Sequence, residues 1–212
     1  MGTDEEKRLA AEAAAELVED GMTVGLGTGS TVAHLLPAIA RRGLSGIRCV
    51  ATSVATEEQA RGLGIAVEEF SELERLDIAI DGTDQVTPDG WLVKGGGGAH
   101  LREKIVAAAA DRFVVIADSS KPVEALNAPV PLELFAFGLR GTLGRLGPEV
   151  ILRDAPRSPD DGVIADYNGA VADPAALAAW LDADPGVAAH GLFAPELVSD
   201  VLVARGGKVE WA

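Results

Sequence analysis

The sequence predicts an α/β fold: a parallel sheet covered by helices on both faces, followed by a smaller α+β unit. Three observations carry this. Helical and strand patterns alternate over residues 1–125. Two glycine-rich turns, Gly25–Thr31 and Lys94–Gly98, each stand directly before a helix pattern. After Asn127-Ala128-Pro129 the alternation gives way to short strand signals.

The elements follow in order. Residues 4–19 are rich in Ala, Glu and Leu and read as a helix. The apolar run Met22-Thr23-Val24 opens a strand over 22–26, and a helix follows over 31–41. Pro37 inside that helix removes one backbone bond. Strands are expected at 46–51, 76–81 and 113–117, with helices at 54–62 and 99–110. Further along, strand signals at 130–134, 149–152 and 162–166 are interleaved with helical stretches at 135–145 and 174–183. The expected order there is β-α-β-β-α-β.

The stretch Lys94 to Lys104, KGGGGAHLREK, is the most informative. Four consecutive glycines make no side-chain contacts and lose the most backbone entropy on folding. Such a run suits a place where backbone approaches something closely or takes φ > 0. A glycine turn opening a helix leaves N–H groups and a positive dipole end facing one small volume. Lys94 stands before it and Glu103 after it. A cation, an anion-binding turn and a carboxylate together suggest chemistry on an anionic small molecule. The plain alternative is a flexible loop before a surface helix.

The turn GLGTGST, Gly25 to Thr31, links a strand to a helix, an arrangement that cradles a phosphate. It does not fit a dinucleotide fingerprint, because Ser30 stands where the third glycine would fall. No GK[ST] ending makes it a P-loop. We read a monophosphate cup supplied by Thr28, Gly29, Ser30 and Thr31; a tight turn without a ligand is the alternative. In LDIAIDGTDQV, Leu76 to Val86, Asp81 and Asp84 are expected just past the carboxyl end of a strand, with Gly82 and Thr83 between them. Ligands bind at that edge of open parallel sheets. Two carboxylates three residues apart can hold sugar hydroxyls or move their protons, or merely cap a turn.

With Asp118-Ser119-Ser120-Lys121, these motifs together resemble the type A ribose-5-phosphate isomerases. That family's pattern has a TGST phosphate loop, a DGxD loop, a KGGGGA…REK segment and a later Ser-Lys, in this order. The segment from Pro185 to Phe193, PGV…GLF, is also similar. Two stretches depart: Gln85 stands where Glu is common, and Asp-Asn-Gly-Asn becomes Asp166-Tyr167-Asn168-Gly169-Ala170. The resemblance implies a Rossmann-like catalytic domain over 1–128 and 203–212, and a ferredoxin-like insertion over 129–202. It implies reversible conversion of D-ribose 5-phosphate to D-ribulose 5-phosphate in the non-oxidative pentose phosphate pathway. A homodimer or dimer of dimers is expected.

Composition agrees with such an enzyme. The chain has 212 residues, enough for a proper core, and no apolar run long enough to span a membrane is expected. Its acidic start, Asp4-Glu5-Glu6, does not read as a signal peptide. A single cysteine, Cys49, fits a reducing cytoplasm. The net charge of −15 argues against nucleic acid as partner and means cations must be concentrated at the site. Lys94 and Lys121 are the candidates, with Lys7 and Arg8 behind them.

The expected chemistry needs a base reaching two adjacent carbons and donors for a developing enediolate. Glu103, in the first turns of a helix, fits the base. Asp81 and Asp84 would bind hydroxyls, with Asp81 relaying protons. Lys94 and the N–H groups of Gly95, Gly96 and Gly97 would stabilise the oxyanion. Lys121 and the Thr28–Thr31 cup would hold the phosphate. No cofactor and no metal are expected, although His100 with Asp81, Asp84 and Glu103 is a conceivable metal set. A sugar-phosphate sensor and a CoA transferase with a glutamate nucleophile are the other classes. No DNA-binding segment precedes Gly21, and the lysines and TGST suit a small phosphate better than CoA.

Overall fold

The computed structural model describes residues 3–211. In chain order the elements are α1 (Thr3–Ala15), β1 (Thr23–Leu26), α2 (Val32–Arg42), β2 (Arg48–Ala51), α3 (Val54–Gly62), β3 (Ile78–Gly82), β4 (Gln85–Val86), β5 (Leu92–Val93), α4 (His100–Ala109) and β6 (Phe113–Asp118). Then come β7 (Val130–Leu134), α5 (Leu139–Leu146), β8 (Val150–Leu152), β9 (Val163–Tyr167), α6 (Pro174–Asp182), β10 (Val187–His190), β11 (Leu192–Phe193), β12 (Asp200–Arg205) and β13 (Lys208–Trp211). Two compact units result. One comprises the chain up to Thr83, Arg102–Lys121 and Glu196 onward; the other comprises Asp84–Leu101 and Pro122–Pro195.

The first unit is built on a six-stranded sheet, ordered β13-β12-β6-β3-β1-β2. Its neighbours are parallel from β2 through to β12, and β13 runs antiparallel on the edge. The sheet is therefore mixed rather than purely parallel. The two glycines Gly206 and Gly207, both at positive φ, turn the chain straight back from β12, so a crossover is not needed.

Strand alternation shows how the faces are covered. Val24 and Leu26 cluster with Ala10 and Ala11 of α1 and Leu35 and Leu36 of α2. Gly25 between them faces the other way, where a Cβ would lie 2.5 Å from Cγ1 of Val106 on α4. Helices thus lie on both faces. The apolar run of β6 is buried at all six positions, as a central parallel strand requires. From β1 the chain adds β2 on one side and β3 on the other. The carboxyl ends of β1 and β3 therefore diverge at a reversal of strand order, where such sheets open a crevice.

The second unit has a four-stranded antiparallel sheet, β10-β7-β9-β8, with α5 and α6, and a small sheet β11-β5-β4. Val130, Leu132 and Leu134 of β7 form its core with Leu146 and Leu181. Helix α5 starts at Leu139, later than the pattern from 135 suggested, because Gly138 is left-handed with φ 73°. Phe135 and Phe137 fall outside it and are exposed.

By packing, residues 84–101 go with the second unit, whereas the sequence assigned them to the first. The reason is β11: Leu192 and Phe193 pair with Val93 and Leu92, and strands of two residues carry no readable period. The return to the first unit falls at Glu196. Among the described residues, no helix is long and apolar enough to cross a membrane.

Candidate active site

In the first unit the site grows from the ends of β1 and β3. Asp81 lies within β3, its last residue but one, rather than on the loop beyond. The residue is 3% exposed. Oδ1 accepts from the backbone N–H of Thr28 at 2.9 Å and of Gly82 at 2.7 Å. Gly27 makes this possible: a Cβ there would sit 2.0 Å from the Asp81 carboxyl carbon. The turn is fixed from its other side as well. Thr56 Oγ1 donates to the Gly27 carbonyl at 2.8 Å, and the Thr28 and Thr52 hydroxyls are 2.7 Å apart.

Beyond Thr28, Gly29 takes φ 111°, open only to glycine, and Gly29 and Ser30 are exposed. Thr31 precedes α2 without capping it through its hydroxyl. The turn thus presents a helix N-terminus that its own side chain leaves open to an anion.

Glu103 is in the first turn of α4 and is 5% exposed. At the end of β6, Ser120 N–H donates to Asp118 Oδ1 at 2.9 Å, and Lys121 N–H donates to the Asp118 carbonyl at 3.2 Å. A residue the sequence reading passed over stands behind this loop. Glu6 of α1 accepts from Ser119 N–H at 3.1 Å, Ser119 Oγ at 2.6 Å and Gly206 N–H at 3.1 Å. The Ser119 hydroxyl and these backbone donors hold its carboxyl below the usual range. Arg8, a candidate cation, instead pairs with Glu12 on the helix surface at 2.7 Å.

In the second unit, Asp84 is exposed and its Oδ2 accepts from Gly96 N–H at 2.9 Å. Lys94 is 3% exposed, with Nζ 5.6 Å from the centre of the Phe193 ring. Its backbone is seated on Gly191: Lys94 N–H donates to Gly191 O at 2.8 Å, and a Cβ on Gly191 would come 2.2 Å from Lys94 O. Gly95 takes φ 100°, and a Cβ there would lie 2.6 Å from His100 Nδ1. The His100 ring, fully buried, therefore packs under the glycine run. Gly96 and Gly97 are exposed. No group of three or more His, Cys, Asp or Glu side chains arranged for a metal occurs among the described residues.

The family model of ribose 5-phosphate isomerase A (phosphoriboisomerase A) matches residues 48–208. The chain belongs to that family. The ribose-5-phosphate isomerase A of Caulobacter vibrioides (strain NA1000 / CB15N) is 46% identical over 217 residues, covering 96% of this chain and 95% of that one. The crystal structure of ribose 5-phosphate isomerase A from Neisseria gonorrhoeae superposes with a TM-score of 0.94 at 32% identity, covering 99% of this chain and 96% of that one. A D-ribose-5-phosphate isomerase in complex with phospho-erythronic acid gives 0.93 at 30% identity, covering 100% and 99%. Like the relatives that carry the family's name, this member is an isomerase.

The first departure from the ribose-5-phosphate isomerase A pattern has a local reason. Gln85 Nε2 donates to Asn127 O at 2.9 Å and its Oε1 accepts from Asn127 N–H at 2.8 Å. A carboxylate, which only accepts, could make just the second of these bonds.

Proposed function

We propose that the protein interconverts D-ribose 5-phosphate and D-ribulose 5-phosphate through an enediolate, with Glu103 as the base. Glu103 is the observation that carries this: a buried carboxylate in the first turn of α4, where the helix dipole favours its charged form. Glu103 takes the proton from C2 of the aldose, and the carbonyl oxygen at C1 gains the electron pair. Returning that proton to C1 while the hydroxyl proton leaves O2 gives the ketose. Asp81, its Oδ1 held by two N–H donors, relays protons between the two oxygens. Asp84 binds a sugar hydroxyl. The Lys94 ammonium and the N–H groups of Gly95, Gly96 and Gly97 stabilise the oxyanion, with Gly96 N–H shared between it and Asp84 Oδ2.

Thr28, Gly29, Ser30 and Thr31 receive the phosphate with Lys121, and Gly82 and Thr83 shape the edge beside Asp81. A fixed phosphate orients the reacting carbons. Phospho-erythronic acid, the ligand of a solved relative, supports the reading. It joins a phosphate to a carboxylate, whose two charged oxygens resemble those of an enediolate.

The test is ketose formation from ribose 5-phosphate, which the wild-type protein should catalyse; its absence would overturn the reading. Lys121→Ala should weaken ribose 5-phosphate binding about 10- to 150-fold, the equivalent of a charge-assisted bond. Binding of unphosphorylated ribose should not change. Equal losses for both sugars would mean that Lys121 does not see the phosphate.

The larger sheet as Rossmann-like, the smaller unit as ferredoxin-like, and a role in the pentose phosphate pathway belong to the same proposal. So does a cytoplasmic location, supported by Cys49, the chain's single cysteine, whose buried thiol is in no disulfide. Exposed Phe135, Phe137, Ile151 and Trp180 in the second unit support a homodimer or dimer of dimers. A sedimentation mass of one chain would remove that part.

A further inference from the structure

We infer that Arg153 is a positioning residue for the reaction: it clamps the carbonyl side of the glycine run and so aims the run's N–H groups. The inference rests on the isomerase reading above. Arg153 follows β8, and its N–H donates to Ile164 O on β9 at 2.9 Å. One edge of its guanidinium, Nε and Nη2, grips both carboxylate oxygens of Asp166, with Nε 2.9 Å from Oδ2. The remaining nitrogen, Nη1, donates to Gly95 O at 3.2 Å and to Gly96 O at 3.0 Å. Asp166 opens the stretch that departs from the family pattern, so the structure gives this retained residue a task.

Peptide geometry turns this clamp into a functional statement. In a trans peptide, the C=O of one residue and the N–H of the next point in opposite directions. With Gly95 C=O turned to Arg153, Gly96 N–H must point away from it, and it does, donating to Asp84 Oδ2 at 2.9 Å. With Gly96 C=O also turned to Arg153, Gly97 N–H is set away from the guanidinium in the same manner. Glycines have no side chain to hold a peptide plane in place; within the run Gly98 N–H meets Gly95 O at 3.0 Å, and Arg153 adds a second hold on that carbonyl and extends it to Gly96 O. A guanidinium on the carbonyl oxygens also polarises both peptide units and strengthens their N–H groups as donors. Only arginine can grip a carboxylate with one edge and still reach two carbonyls; the compact ammonium of lysine cannot.

Donors fixed in advance act most where charge develops, so their loss falls on kcat more than on KM. Arg153→Ala should lower kcat for ribose 5-phosphate on the order of 10- to 100-fold, below the loss of a whole oxyanion donor. KM should stay within about threefold, and inhibition by phospho-erythronic acid should weaken in step with kcat. Added guanidinium ion should restore part of kcat, Arg153→Lys should restore little, and amide exchange at Gly96 and Gly97 should accelerate. A folded Arg153→Ala protein with kcat within twofold of wild type would overturn the inference. So would parallel losses in kcat and KM without guanidinium rescue. Should the alanine variant not fold, Asp166→Asn keeps the guanidinium but loosens its seat, and an unchanged kcat there counts equally against the clamp. Wild-type protein inactive on ribose 5-phosphate would defeat the isomerase reading instead. In that case, unchanged amide exchange in the variants would separately defeat the clamp.

Discussion

Replacing Glu103 by Gln is expected to lower kcat on ribose 5-phosphate by about 10²–10⁴-fold, the usual contribution of a general base. The amide keeps the size of the carboxylate and its place in the first turn of α4, where the residue is 5% exposed. It cannot take a proton from carbon. Substrate affinity should stay within a few-fold, because the phosphate and hydroxyl contacts are assigned to other residues. Steady-state kinetics with a binding measurement on the variant decide the matter. More than half of wild-type kcat would remove Glu103 from this role.

A comparable loss is expected from one added methyl group. In Gly27→Ala the new Cβ would fall 2.0 Å from both the carboxyl carbon and Oδ1 of Asp81, so Asp81 has to move. Its two backbone bonds, to Thr28 and Gly82, go with it. A displacement of about 1 Å in such a constellation can cost about 10²-fold in rate. The overpacking should also destabilise the fold by about 1–3 kcal/mol. Gly62→Ala is the control. That position ends α3 and has open space around a Cβ, so activity should be unchanged there and the melting temperature unchanged or raised. Gly27→Ala activity within threefold of wild type would mean that Asp81 does not depend on this close approach.

The glycine turns were legible because a missing side chain is itself a local signal. Gly27 under Asp81, Gly29 at φ 111° and Gly95 at φ 100° each have a steric reason that the sequence prints directly. The helices at 54–62 and 99–110 were equally plain, and in the structure the Ser53 hydroxyl caps the first by accepting from Thr56 N–H. What the sequence hides is pairing across distance. Glu6 reaches Ser119 and Gly206, and Arg153 reaches Gly95 and Asp166, with nothing in local composition to mark either set. Lys7 and Arg8 drew attention as cations, while the neighbour that organises the loop before Lys121 is an acid. The two-residue strands β4, β5 and β11 were invisible for a different reason: alternation needs more than two residues to register.

The central claim is that a proton passes through Glu103, and isomerisation in D₂O with EDTA present tests it most directly. A base mechanism lifts the C2 hydrogen onto a carboxylate, where it can exchange with solvent before delivery to C1. A hydride shift carries it across without exchange. Product ribulose 5-phosphate, examined by NMR at early conversion, should carry substantial deuterium at C1, and EDTA should not slow its formation. Complete retention of the original hydrogen, together with activity lost to EDTA and restored by a divalent ion, would contradict the account.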